Sequence, residues 1–185
     1  MMKSRNSSDE RAIYLALFIS IFVSFLSIVV FIRMNVLSNA VENFDINTIP
    51  DLSTTGYSKV DKIDVFVLQD VGVIRLYSGC YEITAYTEKQ QAESIHEAIT
   101  GKQSFRPNIH DLFADTIKGF GMKVLMVKIV DLKNNTYMGR IIIKNDGKIM
   151  SLDCKPSDGT AIALRVGAPI YIKDALLTSQ GKYIC

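Results

Sequence analysis

From Ala12 to Ile32 the chain runs for 21 residues without a charge, and 18 of them are apolar, the exceptions being Ser20, Ser24 and Ser27. As a helix rising 1.5 Å per residue, such a run spans a bilayer core of about 30 Å. A helix at the surface of a soluble core keeps a polar face, and this run has none. Its serine hydroxyls can bond back to carbonyls one turn earlier, so they cost little in hydrocarbon. Arg11 and Arg33 bracket it. Residues 12–32 are therefore read as a transmembrane helix. Lys3, Arg5 and Arg11 precede it, and Arg33 is the one basic residue in the twenty that follow. That bias places residues 1–11 in the cytoplasm and the rest of the chain outside. Ser38-Asn39-Ala40 offers the small residues a signal peptidase uses. The apolar stretch, however, exceeds the roughly 7–15 residues of a signal peptide, so an uncleaved anchor is expected.

The rest of the sequence has the composition of a folded domain. With 11 Gly, 4 Pro and 3 Cys in 185 residues, collagen-like and disulfide-framework architectures are excluded. Residues 33–60 are polar and irregular and read as a linker, leaving 61–185 as one domain. Short β-branched and aromatic runs at Ile63–Leu68, Val73–Tyr77 and Tyr81–Ala85 predict strands. A helix is expected over Glu88–Thr100, with Ala92, Ile95 and Ile99 on its apolar edge, and another over Ile109–Lys118, capped by Asn108 with Asp111 at N3. Lys123–Leu132, Thr136–Lys144 and Ile149–Cys154 follow as strands, the last entered through the hairpin signal Asn145-Asp146-Gly147-Lys148. A third helix over Ser157–Val166, with Ser157 as its N-cap, leads to a strand at Ile170–Ile172. The class is α+β: a mixed, mostly antiparallel sheet with about three helices.

Three segments carry a resemblance. Arg106-Pro107-Asn108-Ile109-His110-Asp111-Leu112 looks like an R-P-x-x-H-D-L motif. Asp153 to Arg165 looks like D-x-R-P-S-D-A-I-A-L-A-L-R, and Gly167-Ala168-Pro169-Ile170-Tyr171 completes it. In order and spacing these resemble the bifunctional nuclease family, over about Val65 to Leu177. The resemblance implies a small α+β domain, often self-associating, some members of which cleave both DNA and RNA. This sequence departs from the pattern in places. Lys155 replaces the arginine before Pro-Ser-Asp and loses its bidentate fork. Gly159 replaces an alanine, and where a Gly-x-x-Glu-Ala pattern is usual the chain reads Tyr86-Thr87-Glu88-Lys89-Gln90-Gln91-Ala92, so that site is only partly kept. The apolar N-terminal segment is an addition.

Phosphodiester hydrolysis needs an activated water and positive charge on the developing anion. His110 as base, oriented by Asp111, could supply the first, and Arg106, Lys155 and Ser157 could meet the phosphate. Asp153 and Asp158 are the candidate ligands for Mg²⁺ or Mn²⁺. Asp111 and Asp158 equally suit plain helix-start positions, where the macrodipole favours an acid. Residues 61–185 carry 16 Lys/Arg and 14 Asp/Glu, a net of +2, which is meagre for a domain that lives on phosphate contacts. Lys118, Lys123 and Lys128 read as a solvated face, His96 as surface, and Cys154 as a small packed residue. With the domain outside the cell one disulfide among Cys80, Cys154 and Cys185 is possible, though no pair is indicated. Two functions are thus in view: a membrane-tethered phosphodiesterase acting on DNA and RNA, and a noncatalytic membrane-tethered binding or assembly module, either one with homo-oligomers as partners. The first requires His110 and Asp158 to face one cleft.

Overall fold

The computed structural model describes residues 7–42, 52–102 and 104–185 and divides into two units, Met1–Ile46 and Asn47–Cys185. Residues 1–6 and 43–51, where parts of the expected cytoplasmic segment and linker fall, lie outside the described residues.

The first unit is helix α1, Ser7–Glu42. Its stretch Ile13–Asn35 has a mean hydropathy of 2.9 and none of it is buried by protein, so it is long and apolar enough to cross a membrane. Ser27 donates to the Val23 carbonyl at 2.9 Å, the back-bond that makes a serine tolerable there.

The second unit is an α+β fold built on two sheets. Its elements are β1 (Tyr57–Lys59), β2 (Lys62–Leu68), β3 (Val71–Ser78), β4 (Tyr81–Glu88), α2 (Lys89–Thr100), α3 (Ile109–Gly119), β5 (Lys123–Lys133), β6 (Thr136–Asn145), β7 (Lys148–Cys154), α4 (Pro156–Val166), β8 (Ile170–Lys173), α5 (Asp174–Gln180) and β9 (Lys182–Tyr183). One sheet has the order β1-β8-β5-β6-β7, with β8 parallel to β5 and the other pairings antiparallel. The other, β2-β3-β4-β9, is antiparallel throughout. Between them lies the main core. Ile74, Leu76 and Ile83 from the four-stranded sheet meet Val127, Ile129, Ile141, Ile143 and Ile172 from the five-stranded one, with Ile95, Ile117 and Ala161 from the helices.

Strand β5 serves two clusters. Val124 and Val127 both face the main core, while Met126 turns to the opposite face and packs with Ile142 and Leu52. Strict alternation would forbid that spacing, and the register shift between Val124 and Met126 supplies the change of phase.

Several features differ from the sequence reading, the first being two sheets where one was expected. The folded body begins before residue 61: Leu52 and Val60 are buried and β1 pairs with β8. Lys128 is not part of a solvated face but buried, its ammonium bonded to the Ser53 carbonyl and 4.5 Å from the centre of the Tyr57 ring. It pins the incoming segment to the sheet. A disulfide joins Cys80, in the β3–β4 turn, to Cys185, 105 residues later, and holds β9 on β4. Ile99 is exposed, so the apolar edge of α2 ends at Ile95.

Strand β3 admits α2 closely because position 72 is glycine. A Cβ there would stand 2.5 Å from the Ala92 Cβ and 2.9 Å from the Thr87 methyl. This contact seats the first turn of α2, and with it Gln91, beside the starts of α3 and α4.

Candidate active site

The starts of α2, α3 and α4 border an open cleft of about 670 Å³, lined among others by Glu88, Gln91, Glu93, Ser94, Glu97, His110 and Asp158. The local sequence dictates how each helix begins. Asn108 caps α3: its carbonyl oxygen accepts the backbone N–H of His110 at 2.8 Å and of Asp111 at 3.1 Å, while Asp111 accepts the Asn108 N–H at 2.9 Å. This is the reciprocal capping box, and it fixes the two side chains that follow the cap. In α4 the cap is the Lys155 backbone, with Pro156 at the first helical position, where its missing N–H costs nothing. Ser157, expected as the cap, is buried inside the first turn and turns its hydroxyl to Gln91.

His110 is 7% exposed and engaged at both ring nitrogens. Nδ1 lies 2.9 Å from the Ser94 hydroxyl, and Nε2 lies 3.2 Å from Asp158 Oδ1. Asn108 Nδ2 donates to the same Ser94 oxygen at 3.2 Å. Assigned from that network, the Ser94 hydrogen goes to Nδ1 and the ring proton sits on Nε2, aimed at the carboxylate. Ser94, His110 and Asp158, all three lining the cleft, thus form a serine–histidine–aspartate relay in which the serine is buried and the aspartate is the open end. It is not a nucleophilic serine; it orients the ring. Asp158 Oδ1 also accepts Gln91 Nε2 at 2.9 Å, and Gln91 Oε1 accepts Ser157 at 3.0 Å and the Thr87 hydroxyl. Asp158 Oδ2 has no hydrogen bond among the described residues.

Asp111 does not orient His110. Its carboxylate accepts Arg165 Nε at 2.6 Å, with side chains 9% and 13% exposed for Arg165 and Asp111 respectively. Arg165 Nη1 also donates to the carbonyls of Ser94 at 3.1 Å and Ala161 at 2.9 Å. Burial alone would push the Asp111 carboxyl up. The hydrogen bonds from Arg165 and the Asn108 backbone, with the guanidinium charge, outweigh it and hold the carboxyl below its ordinary 3.8.

The fold therefore joins His110 with Asp158 and keeps Ser157 one bond away through Gln91. Arg106, Lys155 and Asp153 lie outside the cleft lining. Arg106 is exposed in the loop before α3, and Lys155 is 3.7 Å from Glu88 on the surface. Asp153, exposed on β7, stands opposite Arg140 in the register. Cys154 packs against the core, and burial, with the charges of Asp153 and Asp158, raises its thiol to about 11, so it is inert. Its sulfur lies 3.1 Å from where a Cβ on Gly159 would stand, filling the room an alanine methyl would use. Gln91, Ser94 and Arg165 had no site role in the sequence reading, for nothing in a glutamine, a mid-helix serine or a helix-end arginine marks it before the helices are packed together.

Of the two expected cation ligands, Asp153 and Asp158, the cleft lining holds Asp158. Asp153 is outside the cleft, and among the described residues no group of three His, Cys, Asp or Glu side chains could hold a metal ion.

The buried Arg165–Asp111 pair yields a stability prediction. Arg165→Met leaves the carboxylate with the Asn108 N–H alone and should cost about 2–3 kcal/mol at pH 7. Because the Asp111 pKa is depressed on folding, its contribution is complete above about pH 4 and is lost as pH falls through the depressed value. Urea unfolding at pH 7 and pH 3 should show the gap between wild type and variant narrowing in acid. A gap under about 1 kcal/mol at pH 7, within the range of an exposed pair, or one indifferent to pH would contradict this account.

Comparison with known proteins agrees with the motifs. The bifunctional nuclease domain matches residues 81–184, from β4 to the C-terminal strand. The chain is 34% identical over 116 residues to an uncharacterized protein of Mycobacterium tuberculosis, covering 63% of this chain and 69% of that one. It is 30% identical over 79 residues to bifunctional nuclease 1 of Oryza sativa subsp. japonica, covering 41% of this chain and 24% of the rice protein. With bifunctional nuclease 1 of Arabidopsis thaliana it shares 26% over 87 residues, covering 45% of this chain and 27% of that protein. The match spans the starts of α3 and α4 and the cleft between them, and on that basis the chain belongs to the bifunctional nuclease domain family.

Proposed function

We propose that the chain is a membrane-tethered phosphodiesterase that cleaves DNA and RNA strands at the His110–Asp158 cleft. The observation that supports this most is convergence: two motif residues 48 positions apart lie 3.2 Å from each other in one cleft. In this reading Asp158 is the catalytic residue. Its Oδ2 takes the proton of a water whose oxygen attacks phosphorus, the ester P–O bond breaks and the departing oxygen takes a proton from solvent, while His110 and Gln91 hold Oδ1 from behind. His110, buried and bonded at both nitrogens, acts through the carboxylate as a positioning residue. Arg106 and Lys155, exposed outside the lining, are the cations left to meet the phosphate charge.

The cleft lining sets a limit on this chemistry. Glu88, Glu93, Glu97 and Asp158 make it acidic, and a polyanion gains nothing from that. Binding should be weak and only shallowly salt-dependent, because few cations are available to meet phosphate and the salt slope scales with their number. The same acidic lining favours the second reading, a noncatalytic tethered module whose cleft holds a cationic or hydrogen-bond-donating group. A cleavage assay separates the two. The full chain in detergent would be incubated with labelled single-stranded RNA and DNA in Mg²⁺, Mn²⁺ or EDTA. Asp158→Asn should lower kcat/KM by about 10²–10⁴-fold, the usual weight of a general base, and His110→Ala by somewhat less. Absence of cleavage, or equal cleavage by Asp158→Asn, would sink the phosphodiesterase reading and leave the binding module.

For location, we read α1 as an uncleaved anchor with the domain outside the cytoplasm. The basic residues ahead of the span support that direction. So does the Cys80–Cys185 disulfide, a bond that persists in oxidising compartments and is rare in reducing ones. Protease added to intact cells should digest the domain; a fully protected domain would overturn the orientation.

A further inference from the structure

We propose that Gln91 is the residue that decides what kind of ligand this cleft accepts, by occupying with an amide the place where a divalent cation would need a second carboxylate. The spacing around Asp158 Oδ1 is close to that of a metal shell. Gln91 Nε2 lies 2.9 Å away and His110 Nε2 lies 3.2 Å away. Adjacent ligands of an octahedral site with bonds of about 2.1 Å stand about 3.0 Å apart. The distances fit a cation site, but the donors do not. An amide nitrogen has no lone pair to give, and among the described residues Asp158 is the one carboxylate bonded to both Gln91 and His110.

The amide is held in that orientation by chemistry. Its Oε1 takes the Ser157 hydroxyl at 3.0 Å and the Thr87 hydroxyl, leaving Nε2 toward Asp158. Flipped, it would set a carbonyl oxygen against the carboxylate. A glutamate at position 91 would keep both hydroxyl bonds through one oxygen and put the other 2.9 Å from Asp158 Oδ1. Two carboxylate oxygens at that distance require a proton or a cation between them. With His110 they would form a two-carboxylate, one-imidazole set, which suits Mn²⁺ and related ions. With glutamine the carboxylate is satisfied by N–H donors, and its free Oδ2 beside the amide suits a hydroxyl or amine of a ligand better than a metal-bridged phosphate.

This concerns the same cleft as the proposed phosphodiesterase but is read without any cleavage. Mn²⁺ would be titrated calorimetrically into the full chain in detergent, as wild type, Asp158→Asn, Gln91→Glu, Gln91→His, and Gln91→Glu combined with Asp158→Asn, each checked for folding by circular dichroism. Wild type should show no saturable Mn²⁺ binding where a folded Gln91→Glu or Gln91→His variant saturates, a gap of at least about tenfold in Kd, or about 1.4 kcal/mol. Adding Asp158→Asn should abolish the gained site. Saturable binding by wild type that Asp158→Asn removes would overturn the proposal, whatever the other variants do. So would a Gln91→Glu site that survives Asp158→Asn.

Discussion

The Arg165 guanidinium joins three helices in one place. From the last turn of α4 it bonds the Asp111 carboxylate in the first turn of α3, the Ser94 carbonyl in α2, and the Ala161 carbonyl of its own helix. Glu97 of α2, 3.8 Å from its far nitrogen, adds a second charge. Lysine could not span these partners, since it lacks the planar fork. Everything catalytic in the proposal hangs from this joint. Ser94 and His110, held next to it, set the ring, and the ring meets Asp158 one helix away. The capping box of Asn108 and Asp111 serves the same end, because the carboxylate that closes the box also anchors the arginine.

The division of labour among the acids follows from burial. Asp111 is held ionised as structural cement, with its charge spent on a guanidinium and a backbone N–H. Asp158, with a side chain 33% exposed, keeps an oxygen for the cleft. Two carboxylates near one histidine thus have different duties: one builds the site and the other faces the ligand. The acidic walls of the cleft explain how a member of a nuclease family can carry a domain charge of only +2 over residues 61–185. Among the described residues none of its cations lines the cleft, and Lys128 is used in folding.

Much of this was legible in the sequence, for identifiable reasons. Strands β2 to β8 and helices α2 to α4 announce themselves because turn residues punctuate them, as at Asn134-Asn135, both of which adopt positive φ. The Asn108 cap is legible because capping is local chemistry. What depends on distant partners is not. Leu52 reads as a linker residue until Met126 and Ile142 are seen beneath it. Ser157 looks like an N-cap until Pro156 takes the first helical position and Gln91 claims the hydroxyl. Cys80 and Cys185 are 105 residues apart, and only the pairing of β4 with β9 brings them together. For the site, His110 and Asp158 could be named from motifs, but Ser94, Gln91 and Arg165 gain meaning only from the packing of three helices.

The central claim is that His110 is a relay element, accepting at Nδ1 and donating from Nε2 to Asp158. Long-range proton–nitrogen NMR of the histidine rings tests it most directly, and the chain has only two histidines, the other being the exposed His96. The expected spectrum of His110 has its proton on Nε2 and an acceptor nitrogen at Nδ1, and Asp158→Asn shifts the Nε2 resonances. A proton found on Nδ1 with Nε2 bare, or a ring spectrum indifferent to Asp158→Asn, would contradict the account.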